Sequence, residues 1–300
     1  MGLSHNHSAN HKDRNLLISI LLNSTITIAQ IIGGFLSGSL ALLSDALHNL
    51  TDVLSLVISY IASILSKKKA TNTRTFGYKR AEIIAAFINA SSLIVIAIYL
   101  VFEAVNRFFN PQKIEAELVI WLSILGILFN GLSVLLLKKD SANNINIRSA
   151  YIHLLTDMLA SIAVLIGGLL MKFYQVFWVD AALTVAIAVY LIIVGFSLLK
   201  ESFNILMLFT PKEIRIEDVV KEVIKIEVIN NIHHIHIWQL NESEIHLEAH
   251  IDFNDDLKFS EFNIILKLLE SSLYEKFKIN HFNIQPEYGT TDSKAIIIQD

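Results

Sequence analysis

The sequence predicts an α-helical membrane protein: six transmembrane helices followed by a small cytoplasmic α+β domain of αββαβ order. Three observations carry that expectation. Of 300 residues, 53% are hydrophobic and only 17% charged, with a mean hydropathy of +0.53, whereas an average soluble domain is about 25% charged. Six apolar runs each approach the roughly 20 residues that a helix needs to cross hydrocarbon. From about Ile214 the texture changes to short amphipathic and alternating segments.

The apolar runs lie at about 16–37, 41–65, 82–102, 117–137, 149–171 and 178–199. Their flanking charges set the orientation. Lys12 and Arg14 precede the first run, six basic residues lie between Lys67 and Arg80, and Lys138, Lys139 and Arg148 join the fourth to the fifth; the alternate connections hold Arg107, Lys113 and Lys172. Eleven against three places both termini in the cytoplasm of a multi-pass cell-membrane protein. Residues 1–15 read as a His-containing disordered end with His5, His7 and His11, without the apolar stretch and cleavage site of a signal peptide. Residues 16–205 form the transmembrane domain, 206–290 the cytoplasmic domain and 291–300 a tail.

Within the spans, Asn23, Gln30 and Asn89 suit helix packing through small and polar residues. The basic turn from Lys67 to Arg80 reads as a topology signal that touches anionic lipid. Asp180 follows the interfacial Trp178 by two residues, shallow enough to be read as solvated. Beyond Pro211, Ile216–Val228 and Phe259–Leu273 carry the apolar spacing of amphipathic helices. Ile232–Leu240, Glu244–Phe253 and Phe282–Glu287 alternate as strands, and Ala295–Ile298 offers a further edge segment. Helices on one face of a sheet make a two-layer domain. One of about 80 residues is marginal alone and favours pairing with a second copy.

Composition also excludes. Without cysteine the chain has no disulfide, thiolate metal site or Cys nucleophile, so a bound metal must rest on His, Asp, Glu or backbone. Residues 200–300 hold 10 Lys+Arg against 18 Asp+Glu, and residues 1–199 hold 14 against 10. That acidic tail argues against a nucleic-acid partner.

The chemistry is concentrated in a repeat. Ser44–Leu54 reads SDALHNLTDVL and returns as Ser149–Leu159, SAYIHLLTDML. Each copy sets His and Asp four apart, His48 with Asp52 and His153 with Asp157, so each offers an imidazole and a carboxylate on one helix face. Ionisable residues inside an apolar span are costly and mark function. Two imidazoles and two carboxylates suit tetrahedral Zn²⁺. Protons and metal compete for the same lone pairs, which allows exchange of one for the other. The second span runs inward and the fifth outward, so the motifs are antiparallel and each His approaches the other helix's Asp. A zinc hydrolase would need a general-base motif such as HExxH, which is absent.

The doubled HxxxD, the run RTFGYKRAEIIAAFINA (Arg74–Ala90), NIRSAYIHLLTD (Asn146–Asp157) and HIHIW (His234–Trp238) resemble the cation diffusion facilitator family. That resemblance implies a homodimeric, zinc-type bacterial efflux transporter in the lipid bilayer. It would be a non-enzymatic antiporter of divalent metal against protons, with His48, Asp52, His153 and Asp157 holding the transported ion. It implies a metallochaperone-like cytoplasmic domain in which His233 and His250, with His281 near a third position, bind regulatory Zn²⁺; Glu287 crowds onto the same short strands as a further candidate ligand, while His236 and His246 read as strand residues. The Lys67–Arg80 turn lacks the His and Asp of a second membrane-proximal site that some members carry. The alternatives are a Mn²⁺, Fe²⁺, Co²⁺ or Cd²⁺ exporter of the same fold, or a metal-responsive sensor without transport.

Overall fold

A computed structural model describes residues 6–138 and 145–298. The chain divides into two compact units, Met1–Ile58 with Ile88–Ser197, and Ser59–Phe87 with Leu198–Asp300.

Six long helices supply the first unit: α1 (Asn6–Ser37), α2 (Leu40–Ser66), α3 (Ala81–Phe109), α4 (Ala116–Lys138), α5 (Ile145–Tyr174) and α6 (Trp178–Leu206), of which residues 59–66 of α2, 81–87 of α3 and 198–206 of α6 fall in the second unit. All six are long and apolar enough to cross a membrane. The packing is that of a membrane bundle, with large side chains such as Phe102, Leu135 and Ile193 facing outward and Ala46, Ala97, Ala104, Ser123, Ser133 and Thr184 buried between helices. Small residues let helix axes approach, and dispersion with interhelical hydrogen bonds holds them. At Gly126 on α4 an added Cβ would lie 2.9 Å from Ser161 Oγ and 3.0 Å from Gln30 Nε2, so glycine is what lets α1, α4 and α5 meet there.

Helix bounds depart from expectation where charges interrupt an apolar run. α3 continues to Phe109 instead of ending near 102, because Glu103 and Arg107 pair along the helix at 3.0 Å and Arg107 also donates to the Gly38 carbonyl. α1 is helical from Asn6 rather than irregular to residue 15. Asp180 is the clearest correction: it is buried, not solvated. Its carboxylate accepts from Ser39 Oγ, from the Leu40 amide at 2.8 Å and from the Ala41 amide at 3.3 Å. It thus caps the N-terminus of α2, whose first amides have no partner within the helix.

In the second unit, helix α7 (Ile216–Val223) leads into strands β1 (Ile229–Gln239) and β2 (Ile245–Phe253), helix α8 (Phe259–Phe277) and strand β3 (Ile279–Glu287). The sheet order is β1-β2-β3, antiparallel between the first pair and parallel between the second. The order of elements is the one expected from sequence. α7 stops five residues short of Val228, β1 and β3 each begin three residues before the expected Ile232 and Phe282, and β2 begins at Ile245, one residue after the expected Glu244. The core joins Val219 and Val223 to Ile232, Ile237, Leu247, Ile251, Leu269 and Leu273. β3 is an edge strand, which tolerates Pro286 and its missing donor.

β1 carries an irregularity between His233 and His236, where His234 adopts a left-handed φ of 50°. A bulge redirects neighbouring side chains. Here it lets Ile232 and His233 both be fully buried, which strict alternation forbids. The Lys67–Arg80 turn does more than mark topology, since Lys79 Nζ pairs with Glu244 at 2.6 Å and Phe76 meets the His246 ring edge-on.

Candidate metal centres

The first centre lies where α2 and α5 face one another. His48 and Asp52 project from one turn of α2, His153 and Asp157 from one turn of α5, each pair in contact at 3.5 Å. The cross-helix contacts are His153 Nε2 to Asp52 Oδ2 at 3.3 Å and His48 Nε2 to Asp157 Oδ1 at 4.0 Å. The two imidazoles sit edge to face with centroids 5.8 Å apart. The structure therefore brings all four sequence-selected residues together.

His48, Asp52 and His153 present ligand atoms within 4.8 Å of one another. Asp157 is almost fully buried, while Asp52 and His153 are part-exposed at 32% and 40% of their side chains. Asp52 Oδ2 and Asp157 Oδ2 make no hydrogen bond, although imidazole nitrogens lie within 3.5 Å of both. Their lone pairs converge on a shared space rather than lining up donor to acceptor, which is the disposition of a ligand set. An open cavity bordered by Asp45, His48, Asp157 and the apolar residues Leu183, Ile187 and Leu191 reaches the centre.

Sequence reasoning passed over Asp45. It is buried on α2, three residues before His48. Gln30 Nε2 donates to its Oδ2 at 3.2 Å and Ser161 Oγ at 3.4 Å, tying α1, α2 and α5 together. The available signal was an ionisable residue in an apolar run. The repeat masked it, because the matching position in the second copy is Ala150.

The second centre lies on the sheet of the other unit. His233 faces His250 across β1 and β2, and Asp252 faces Glu287 across β2 and β3. His233 is fully buried, with Nδ1 3.5 Å from Asp252 and Nε2 3.4 Å from Glu287. His250 Nδ1 is 2.8 Å from Glu287 Oε1. Asp292 joins them, 3.2 Å from His233 Nε2. His233, His250, Glu287 and Asp292 hold their ligand atoms within 4.8 Å. Burial pushes the Glu287 carboxyl up, but hydrogen bonds from Lys294, Thr290 and Gln285 outweigh it and hold it below its ordinary value.

His281 is not part of this cluster. The parallel register sets His281 beside His246 and Glu287 beside Asp252. Six residues of strand, roughly 20 Å, therefore separate His281 from the cluster at Asp252 and Glu287. Instead His281 packs on His246, centroids 4.5 Å apart, and His246 stacks on Trp238. Burial and the neighbouring His281 hold His246 below its usual pKa, so it is a neutral packing residue. His5 lies outside the described residues, as do the side chains of His7 and His11.

Fold and centres together define a multi-pass membrane protein with one His/Asp cluster between its spans and a second His/carboxylate cluster on a separate α+β domain. Residues 16–207 match the family model of the cation efflux transmembrane domain, and residues 211–288 match that of the cation efflux protein cytoplasmic domain. The chain belongs to the cation efflux, or cation diffusion facilitator, family. It is 40% identical to a cadmium, cobalt and zinc/H(+)-K(+) antiporter of Bacillus subtilis (strain 168), over 96% of this chain and 92% of the relative. It is 35% identical to the metal cation efflux system protein CzcD of Cupriavidus metallidurans over 95% of this chain and 90% of that one. With the zinc transporter ZitB of Escherichia coli (strain K12) it shares 32% identity over 96% and 93%.

Proposed function

We propose that this chain exports Zn²⁺ from the cytoplasm across the cell membrane in exchange for protons, holding the ion on His48, Asp52, His153 and Asp157. The observation that carries the reading is the convergence of two imidazoles and two carboxylates from α2 and α5. Zn²⁺ accepts that N₂O₂ set in tetrahedral geometry. Metal binding requires neutral imidazole and ionised carboxylate, so proton arrival on one side of the membrane weakens the site there and proton loss on the other restores it. That competition supplies the exchange, and the protein adds no bond-making chemistry: its role is transport rather than catalysis.

The names of the relatives support Cd²⁺ and Co²⁺ as further cargo. The excess of Lys and Arg on one set of connections supports cytoplasmic termini. The matched C-terminal family model, which carries dimerisation in its name, supports a homodimer. His233, His250 and Glu287 would take a regulatory ion on the cytoplasmic domain.

Zinc uptake into inside-out vesicles tests the reading. Wild-type vesicles accumulate Zn²⁺, Asp157→Ala vesicles do not, and collapsing the proton gradient stops accumulation. Flux that survives both treatments would refute it.

A further inference from the structure

The cytoplasmic-domain match ends at residue 288, yet the chain beyond it folds back onto the second centre. The His234 amide donates to the Ala295 carbonyl at 3.1 Å and the Ile235 amide to the Ile296 carbonyl at 2.8 Å. These two bonds pin the segment along β1 and set Lys294 over the cluster. Lys294 Nζ lies 2.8 Å from Asp252 Oδ1, 3.0 Å from Glu287 Oε2, 2.9 Å from Thr290 Oγ1 and 2.5 Å from Asp292 Oδ1. Four oxygens surround an ammonium that has three protons to give, an arrangement closer to ion coordination than to a surface ion pair. Beside it, the buried His233 keeps Nδ1 without a hydrogen bond.

We propose that Lys294 is a tethered cation standing in for a divalent metal at this centre, and that Asp292, carried by the same segment, is a metal ligand beside His233, His250 and Glu287. The inference rests on the reading of this cluster as a metal site. Three carboxylates this close repel one another, and a single ammonium offsets one of their three charges. A divalent ion offsets two and also engages the imidazole nitrogens, which an ammonium, being only a donor, cannot hold in the same way. Metal binding therefore expels the Lys294 side chain while Asp292 stays. Because the ammonium is attached to the chain, it competes at a fixed effective concentration whatever the metal level. The competition raises the metal concentration at which the centre fills, giving it a threshold that the ligands alone would not set.

The test uses the full-length chain in detergent, carrying Asp157→Ala so that the membrane site does not contribute, with Zn²⁺ affinity measured by competition against a chromophoric chelator. Loss of charge-assisted hydrogen bonds of this kind shifts an equilibrium by about tenfold. Lys294→Gln is expected to bind Zn²⁺ about tenfold more tightly. Adding Asp292→Asn to it should weaken binding again, and His233→Ala should abolish it. Hydrogen exchange of the amides following Lys294, at residues 295–298, should rise on adding Zn²⁺ to the parent and stay unchanged in Lys294→Gln, while exchange around Asp292 does not rise in either. If His233→Ala abolishes binding but Lys294→Gln binds no more tightly than the parent, the tethered-cation proposal is overturned while the metal site stands. If His233→Ala binds as the parent does, the site itself is refuted. Both tail residues lie outside the hydrophobic core, so their variants keep the fold.

Discussion

Replacing Asp180 with alanine should destabilise the membrane bundle far more than its place near a span end suggests. The carboxylate is buried and serves three donors at the start of α2: the Ser39 hydroxyl and the amides of Leu40 and Ala41. Hydrogen bonds to a charged group contribute about 1.5–3 kcal/mol each, and a lost N-cap about 1 kcal/mol. Because the three share one acceptor, their sum is below simple addition, and about 3–5 kcal/mol is expected. For a unit of this size that corresponds to a fall in melting temperature on the order of 10 °C. Asp180→Asn keeps one acceptor oxygen and should lose about half as much. The assay is thermal unfolding of the detergent-solubilised chain followed by size-exclusion of the remaining folded fraction. An Asp180→Ala protein that melts within a degree or two of wild type would refute the capping role and restore the view of Asp180 as a solvated interfacial residue.

Other perturbations separate the roles assigned to individual side chains. His48→Asp turns the N₂O₂ set into NO₃ and should lower Zn²⁺ transport while raising Mn²⁺ transport, since carboxylates suit the harder ion; vesicle uptake of the two metals measures this. His281→Ala should leave Zn²⁺ binding at the cytoplasmic centre unchanged, whereas His233→Ala removes it, as read by chelator competition. Glu222 is held down to about 2 by Lys225, Lys276 and Ser272, below its unfolded value of 4.5. Its contribution is therefore complete above 4.5 and is lost as pH falls from about 4.5 toward about 2. Glu222→Gln should accordingly raise hydrogen exchange in α7 and α8 at neutral pH and make no difference near the bottom of that window.

What the sequence made legible was local and periodic. The spans announced themselves through hydropathy, and the His–Asp pairs through a doubled motif whose four-residue spacing fixes one helix face. Contacts between distant segments were not legible. Asp180 acts on an amide pair some 140 positions earlier, and nothing in its own neighbourhood reveals that. Asp45 was hidden by the comparison that exposed His48, because the repeat retains alanine there. His281 and Asp292 exchange importance through the parallel register of β3 and the return of the tail along β1. Residue-by-residue polarity gives neither. The bulge at His233 likewise depends on one left-handed residue, His234, which is not a glycine and carried no turn signal.

The central claim is that one ion sits on side chains from both α2 and α5. X-ray absorption at the zinc edge tests it most directly, on the full-length chain carrying His233→Ala so that the cytoplasmic centre is silent. The account predicts one Zn²⁺ per protomer with four nitrogen and oxygen ligands near 2.0 Å, two of them showing imidazole scattering, and loss of that ion in either Asp52→Ala or Asp157→Ala. A zinc signal unchanged by both substitutions, or one with no imidazole contribution, would contradict it.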